Sequence, residues 1–157
     1  DVQREVFTAQ VRLAHQCQLP VVIHDRDSNG EVFQILSNLS AFEQGVLYHC
    51  FCGNIEEMEC IVAAGGFISI PGIVTFKNAE QMRDVVRAVP IERLLIETDS
   101  PFLTPAPHRG IQNEPQYVRY VAEKIASLKN MSAEDVAEVT SNNAMQFFGF
   151  KNQKSTS

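Results

Sequence analysis

Leu94-Leu95-Ile96-Glu97-Thr98-Asp99-Ser100-Pro101-Phe102-Leu103 decides how the chain is read. Three apolar residues, Leu94 to Ile96, form a short run suited to a buried strand. The run turns polar at Glu97-Thr98-Asp99 and is stopped by Pro101. A carboxylate therefore stands where an apolar strand ends, and in α/β folds ligands bind at the carboxyl ends of strands. An aspartate that only shapes the turn would look the same in isolation. The neighbouring segments separate the two readings.

Working outward, the same unit recurs. Val21-Val22-Ile23 is a β-branched run ending in His24-Asp25-Arg26-Asp27, and Gly45-Val46-Leu47-Tyr48 ends in His49-Cys50-Phe51. Phe67-Ile68-Ser69-Ile70 is a third strand, stopped by Pro71-Gly72. Helical patterns separate the strands. Residues 3–18 carry an apolar stripe, and Leu19-Pro20 ends that helix. Ser28 with Glu31 matches a capping box, as does Asn54 with Glu57. Met82, Val85, Val86 and Val89 mark a helix around 78–88, closed by Pro90. A Pro-rich loop, 101–115, leads into a helix from about 114 to 128, and Ser132 caps a last one.

Strands that alternate with helices and are apolar throughout imply a parallel sheet covered by helices. Four such units are about half of an eight-unit barrel, which takes about 250 residues. The expected fold is α/β: the C-terminal half of a (β/α)8 barrel, with four parallel strands and covering helices. Residues 1–150 form this partial barrel, and 151–157 a flexible tail. The strand edges of a half barrel would be exposed and apolar, so association through them is expected.

The composition suits one core: 45% of the 157 residues are hydrophobic and 20% are charged. No apolar run approaches a membrane span, and Asp1-Val2-Gln3-Arg4 does not resemble a signal peptide. The start lacks Met and opens into a helical pattern, so the chain is expected to begin partway through a larger domain. A net charge of −6 argues against passive binding of nucleic acid. It does not exclude an enzyme whose bound cations supply positive charge locally. Four cysteines without an export signal are expected to be reduced thiols in the cytoplasm.

His24, His49 and Asp99 each lie just past an apolar run. In a barrel these tips meet on one rim. Imidazole and carboxylate donors suit zinc, manganese or magnesium, one ion or two. Glu97 lies two residues before Asp99, so strand alternation puts both on one face. Its expected role is to accept a proton from a ligand histidine. Cys50 alternates away from His49, and no second cysteine pair stands at zinc-ribbon spacing. Arg26 and Arg109 sit in loops of the same rim and suit bidentate pairing with phosphate.

The segments Leu19 to Arg26, Tyr48-His49-Cys50-Phe51-Cys52-Gly53 and Leu95 to Pro101 resemble the TatD-type metal-dependent deoxyribonucleases, a branch of the amidohydrolase-like barrels. Arg109-Gly110 and Asn113-Glu114-Pro115 resemble the family's later loop. The resemblance runs from residue 3 to about 150. It implies a (β/α)8 barrel and a divalent metal site held by His24, His49 and Asp99. It also implies exonuclease-type hydrolysis of phosphodiester bonds in DNA. The family's early His-x-His motif and a Glu ligand are absent; they would precede Asp1, so the likeness is expected to cover only the family's C-terminal part. Cys52 stands where the family commonly has a small polar residue. Asp99 is the expected catalytic residue, orienting or deprotonating a water. An amide or ester hydrolase on the same barrel, or an inert fragment, are the alternative readings.

Overall fold

The computed structural model describes residues 1–150, so the expected tail at 151–157 lies outside the described residues. The chain opens with helix α1 (Val2–Gln16), then strand β1 (Val21–His24) and helix α2 (Glu31–Asn38). Strand β2 (Val46–His49), helix α3 (Ile55–Ala63) and strand β3 (Phe67–Ile70) follow. Helix α4 (Glu80–Ala88) leads to strand β4 (Leu94–Ile96), and helices α5 (Val118–Lys129) and α6 (Ala133–Phe148) close the chain. The four strands make one parallel sheet in the order β1-β2-β3-β4.

Register fixes which side chains share a face. Val22 pairs with Leu47, Leu47 with Phe67, and His24 with His49. The alternate residues Val46, Ile68, Ile70 and Leu94 have no exposure and meet the helices in the main core, with Val85, Val121 and Ile125. Each such side chain contributes about 1.5–3 kcal/mol by leaving water. On the opposite face Leu47, Phe67 and Leu95 pack against Phe147 near the end of α6. That cover stops short of β1: Val22, in the same row as Leu47, is 51% exposed. Asn143 ties α6 to the sheet by donating to the carbonyls of Ile91 and Leu94.

Local chemistry explains most boundaries. Asn54 and Glu57 form the expected reciprocal capping box at α3. Ser132 accepts from the Asp135 N–H at α6. The box expected at Ser28 and Glu31 does not form. Asp27, Asn29 and Gly30 all take positive φ, which moves the cap of α2 to Gly30. Ser28 instead donates to Asp25 at 2.8 Å, and Glu31 pairs with Arg4 of α1. The helix expected from about 114 begins as a 3-10 turn at Pro115–Tyr117, where proline fits because the first position needs no N–H. Gly72 has no substitute: a Cβ there would run into the Leu103 carbonyl, so the loop after β4 lies directly on the turn after β3.

Candidate metal centre at the strand tips

Parallel pairing places His24 and His49 side by side at the ends of β1 and β2. Their ring centroids are 5.4 Å apart. After His49 the backbone leaves the strand, with Cys50 at φ +48°. Alternation therefore does not govern Cys50. Its N–H turns towards the tip of β4 and donates to Glu97 Oε2 at 3.2 Å. The same oxygen lies 3.0 Å from His49 Nδ1. Glu97 Oε1 stands 2.9 Å from that nitrogen, is buried, and has no aligned donor among the described residues.

Asp99 approaches from the other side. It also leaves the strand conformation, at φ +56°, which aspartate tolerates better than most residues. Its Oδ1 is 3.7 Å from His49 Nε2. Glu97 and Asp99 thus flank one imidazole rather than sharing a strand face, as alternation had suggested. The loop that carries Asp99 is pinned by buried Asn113, which donates to the Thr98 carbonyl at 2.8 Å and to that of Phe102. The Asn113 N–H donates to the Pro101 carbonyl.

The donor set fits a divalent cation. A carboxylate against Nδ1 keeps a proton there and leaves the Nε2 lone pair free. The 3.7 Å between Nε2 and Asp99 Oδ1 is too long for a hydrogen bond. It is a separation that two donors with bonds of about 2.0–2.2 Å to one ion can have. Among the described residues, His49, Glu97 and Asp99 form a cluster whose candidate ligand atoms all lie within 4.8 Å of one another. It contains no cysteine, and the four cysteines are free thiols. His24 stands beside this cluster rather than in it.

Two cavities open onto the tips. One of about 480 Å³ is lined by His49, Glu97, Asp99, Ser100, Pro115 and Val118. The other, about 790 Å³, runs from His24, His49 and Asp99 towards α2 and α3. Among the described residues lining the larger one, Arg26 is the sole lysine or arginine, against carboxylates that include Asp25, Asp27, Glu56 and Glu57. Arg109 is not at either cavity. Its guanidinium lies 3.7 Å from the Phe76 ring centroid and donates to the Thr104 carbonyl, so it braces the loop. His108 is likewise held in place, stacked on Tyr117 and 2.8 Å from the Tyr120 hydroxyl.

Cys52 borders the larger cavity, and its thiol donates to the Cys50 carbonyl at 3.2 Å. A hydrogen bond from the Cys50 thiol, helped by the charge of Arg26, draws the Cys52 thiol down to about 7. The Cys50 thiol is pushed up by that same hydrogen bond and by burial. Sequence reasoning missed Asn113, Asp25 and Tyr48. Asn113 sat in a recognised loop motif, but only the fold shows which carbonyls it holds.

The sequence pattern of the TatD related DNase family matches residues 1–149. The likeness therefore runs across nearly the whole chain, and the expectation that it covers only the family's C-terminal part does not hold. The chain is 47% identical over 148 residues to the uncharacterized metal-dependent hydrolase YabD of Bacillus subtilis, covering 94% of this chain and 58% of YabD. It thus spans little more than half the length of that relative. The crystal structure of YJJV, a TatD homolog from Escherichia coli, superposes with a TM-score of 0.83 at 28% identity, over 90% of this chain and 54% of YJJV. An uncharacterized amidohydrolase from Saccharomyces cerevisiae shares the fold, with a TM-score of 0.82 at 16% identity over 93% of this chain and 59% of its own. The chain belongs to the TatD related DNase family.

Proposed function

We propose that this chain forms part of a divalent-metal-dependent phosphodiester hydrolase acting on DNA, an exonuclease-type deoxyribonuclease. The observation that carries the reading is His49 held between two carboxylates, Glu97 on Nδ1 and Asp99 facing Nε2. The family's description and the naming of relatives as metal-dependent hydrolases support it.

His24, His49 and Asp99 would hold one or two ions of magnesium, manganese or zinc. A divalent ion bound there lowers the pKa of a coordinated water and offsets charge on the phosphate oxygens. His49 would offer Nε2, with Glu97 holding the Nδ1 side of the ring. Asp99 supplies negative charge to the site and orients the attacking water, or takes its proton. Arg26 reaches the phosphate from the cavity wall and pairs with its non-bridging oxygens. Arg109 acts indirectly, by holding the loop.

The four parallel strands are, in this reading, half of a (β/α)8 barrel whose other strand tips complete the ligand set. The exposed Val22 face and the share of YabD that the chain covers both support this. Association through a free strand edge belongs to the same reading, as does a cytoplasmic setting, which suits free thiols. Asp99→Ala, made in the protein as its gene encodes it and assayed on single-stranded DNA with magnesium or manganese, is expected to abolish cleavage. Undiminished cleavage would refute the role given to Asp99.

A further inference from the structure

The larger cavity extends well beyond the metal cluster, and two of its polar atoms have no task in the chemistry above. The Tyr48 hydroxyl and Asp25 Oδ1 are both buried and both lack a hydrogen-bond partner among the described residues. Tyr48 is only 4% exposed. Phenylalanine would fill the same space without burying an unpaired hydroxyl, which is costly. Tyr48 follows the helix-facing register of β2, opposite to His49, and Asp25 comes directly after β1, yet both line this cavity. One is a donor and the other an acceptor.

The walls say what kind of group fits. Phe33, Phe51 and Phe102 offer apolar aromatic surface, and every nucleobase has a face that stacks on such rings. The carboxylates of Asp25, Asp27, Glu56 and Glu57 line the same space. They repel a second phosphate but accept N–H groups from a neutral ring. The volume, about 790 Å³, is in the range of small-molecule sites. Because His49 and Asp99 line the same cavity, a phosphate at the strand tips would direct its attached nucleoside inward.

We infer that this cavity is a nucleobase subsite, in which the Tyr48 hydroxyl donates to a ring acceptor and the Asp25 carboxylate accepts a ring N–H. This deepens the phosphodiesterase reading and rests on it for the placement of the phosphate. Tyr48 is a specificity-determining residue here, remote from the bond that breaks.

The test compares two esters in manganese, with the protein as its gene encodes it: thymidine 5′-(p-nitrophenyl phosphate), which carries a base, and methyl p-nitrophenyl phosphate, which does not. Tyr48→Phe is expected to lower the ratio of kcat/KM for the first over the second by about 3- to 10-fold, the worth of one neutral hydrogen bond. The change should lie in KM, and the thermal midpoint should not fall, since the lost hydroxyl has no partner among the described residues. An unchanged ratio overturns the subsite. Calorimetric titration of thymidine into the protein in EDTA reads the subsite without the metal. Binding weakened by Tyr48→Phe supports it, and no binding, or equal binding by both proteins, overturns it. If the unaltered protein cleaves neither ester, the phosphodiesterase reading fails on its own, and the thymidine titration still decides the subsite.

Discussion

Glu97 offers the sharpest test of how the site is built, because one of its oxygens serves two donors. Oε2 accepts from the Cys50 N–H at 3.2 Å and lies 3.0 Å from His49 Nδ1. In Glu97→Gln the amide oxygen can occupy that position and keep both contacts. The amide nitrogen then takes the place of Oε1, 2.9 Å from Nδ1, where it faces the imidazole proton. That repulsion favours moving the proton to Nε2, the nitrogen an ion would need, and the carboxylate charge is lost as well. Loss of such a partner behind a metal-binding histidine costs about 10- to 100-fold in metal affinity. That corresponds to roughly 1.4–2.8 kcal/mol. Folding should be nearly unaffected. Glu97→Ala differs: it also leaves the partly buried Cys50 N–H without its acceptor, at a cost to stability of at most about 1–3 kcal/mol. In a chain of this size that is a fall in Tm of roughly 2–10 °C. Calorimetric titration of manganese and a thermal melt of each variant separate the two effects. Manganese affinity in Glu97→Gln indistinguishable from the unaltered protein would refute the positioning of His49 by Glu97.

Two further expectations follow from the placement of the arginines and thiols. Arg26→Ala should lower kcat/KM on DNA by roughly 10- to 150-fold, the worth of a charge-assisted contact, with little change in Tm. Arg109→Ala should do the reverse, losing its stacking on Phe76 and its bond to Thr104; melts and steady-state kinetics on the pair would expose a swapped assignment. Alkylation of Cys52 by iodoacetamide in metal-free protein should rise with pH through a midpoint of about 7, because only the thiolate reacts. Cys50→Ala removes the thiol that stabilises this thiolate and should move the midpoint upward; an unmoved midpoint would refute the part given to the Cys50 thiol.

Much of the fold could be read from local pattern. The β-branched and apolar runs at 21–23, 46–48, 67–70 and 94–96 are short and bounded by Pro, Gly or polar residues, and each became a strand. The capping pairs at Asn54–Glu57 and Ser132–Asp135 act within one turn, where sequence distance and spatial distance coincide. Ser28–Glu31 carries the same signature but failed, because the left-handed conformations at Asp27, Asn29 and Gly30 depend on how the loop packs. Arg26 and Arg109 looked equivalent as loop cations. Their separation into a cavity residue and a brace on Phe76 rests on contacts across more than thirty residues of chain.

The histidine and carboxylate at the ends of strands β1, β2 and β4 were determined by sequence alone, since a parallel strand delivers whatever follows its apolar run to one edge of the sheet. Tertiary structure decided how those groups meet. Parallel register set His24 beside His49, and the left-handed turns at Cys50 and Asp99 brought two carboxylates to opposite nitrogens of one ring. Strand alternation could not foretell this, because both residues lie just beyond the strands where alternation holds. The pairing of Tyr48 with Asp25 on the wall of one cavity is of the same kind. Each is an ordinary residue in its own segment, and only tertiary packing leaves the Tyr48 hydroxyl and Asp25 Oδ1 buried without a partner among the described residues.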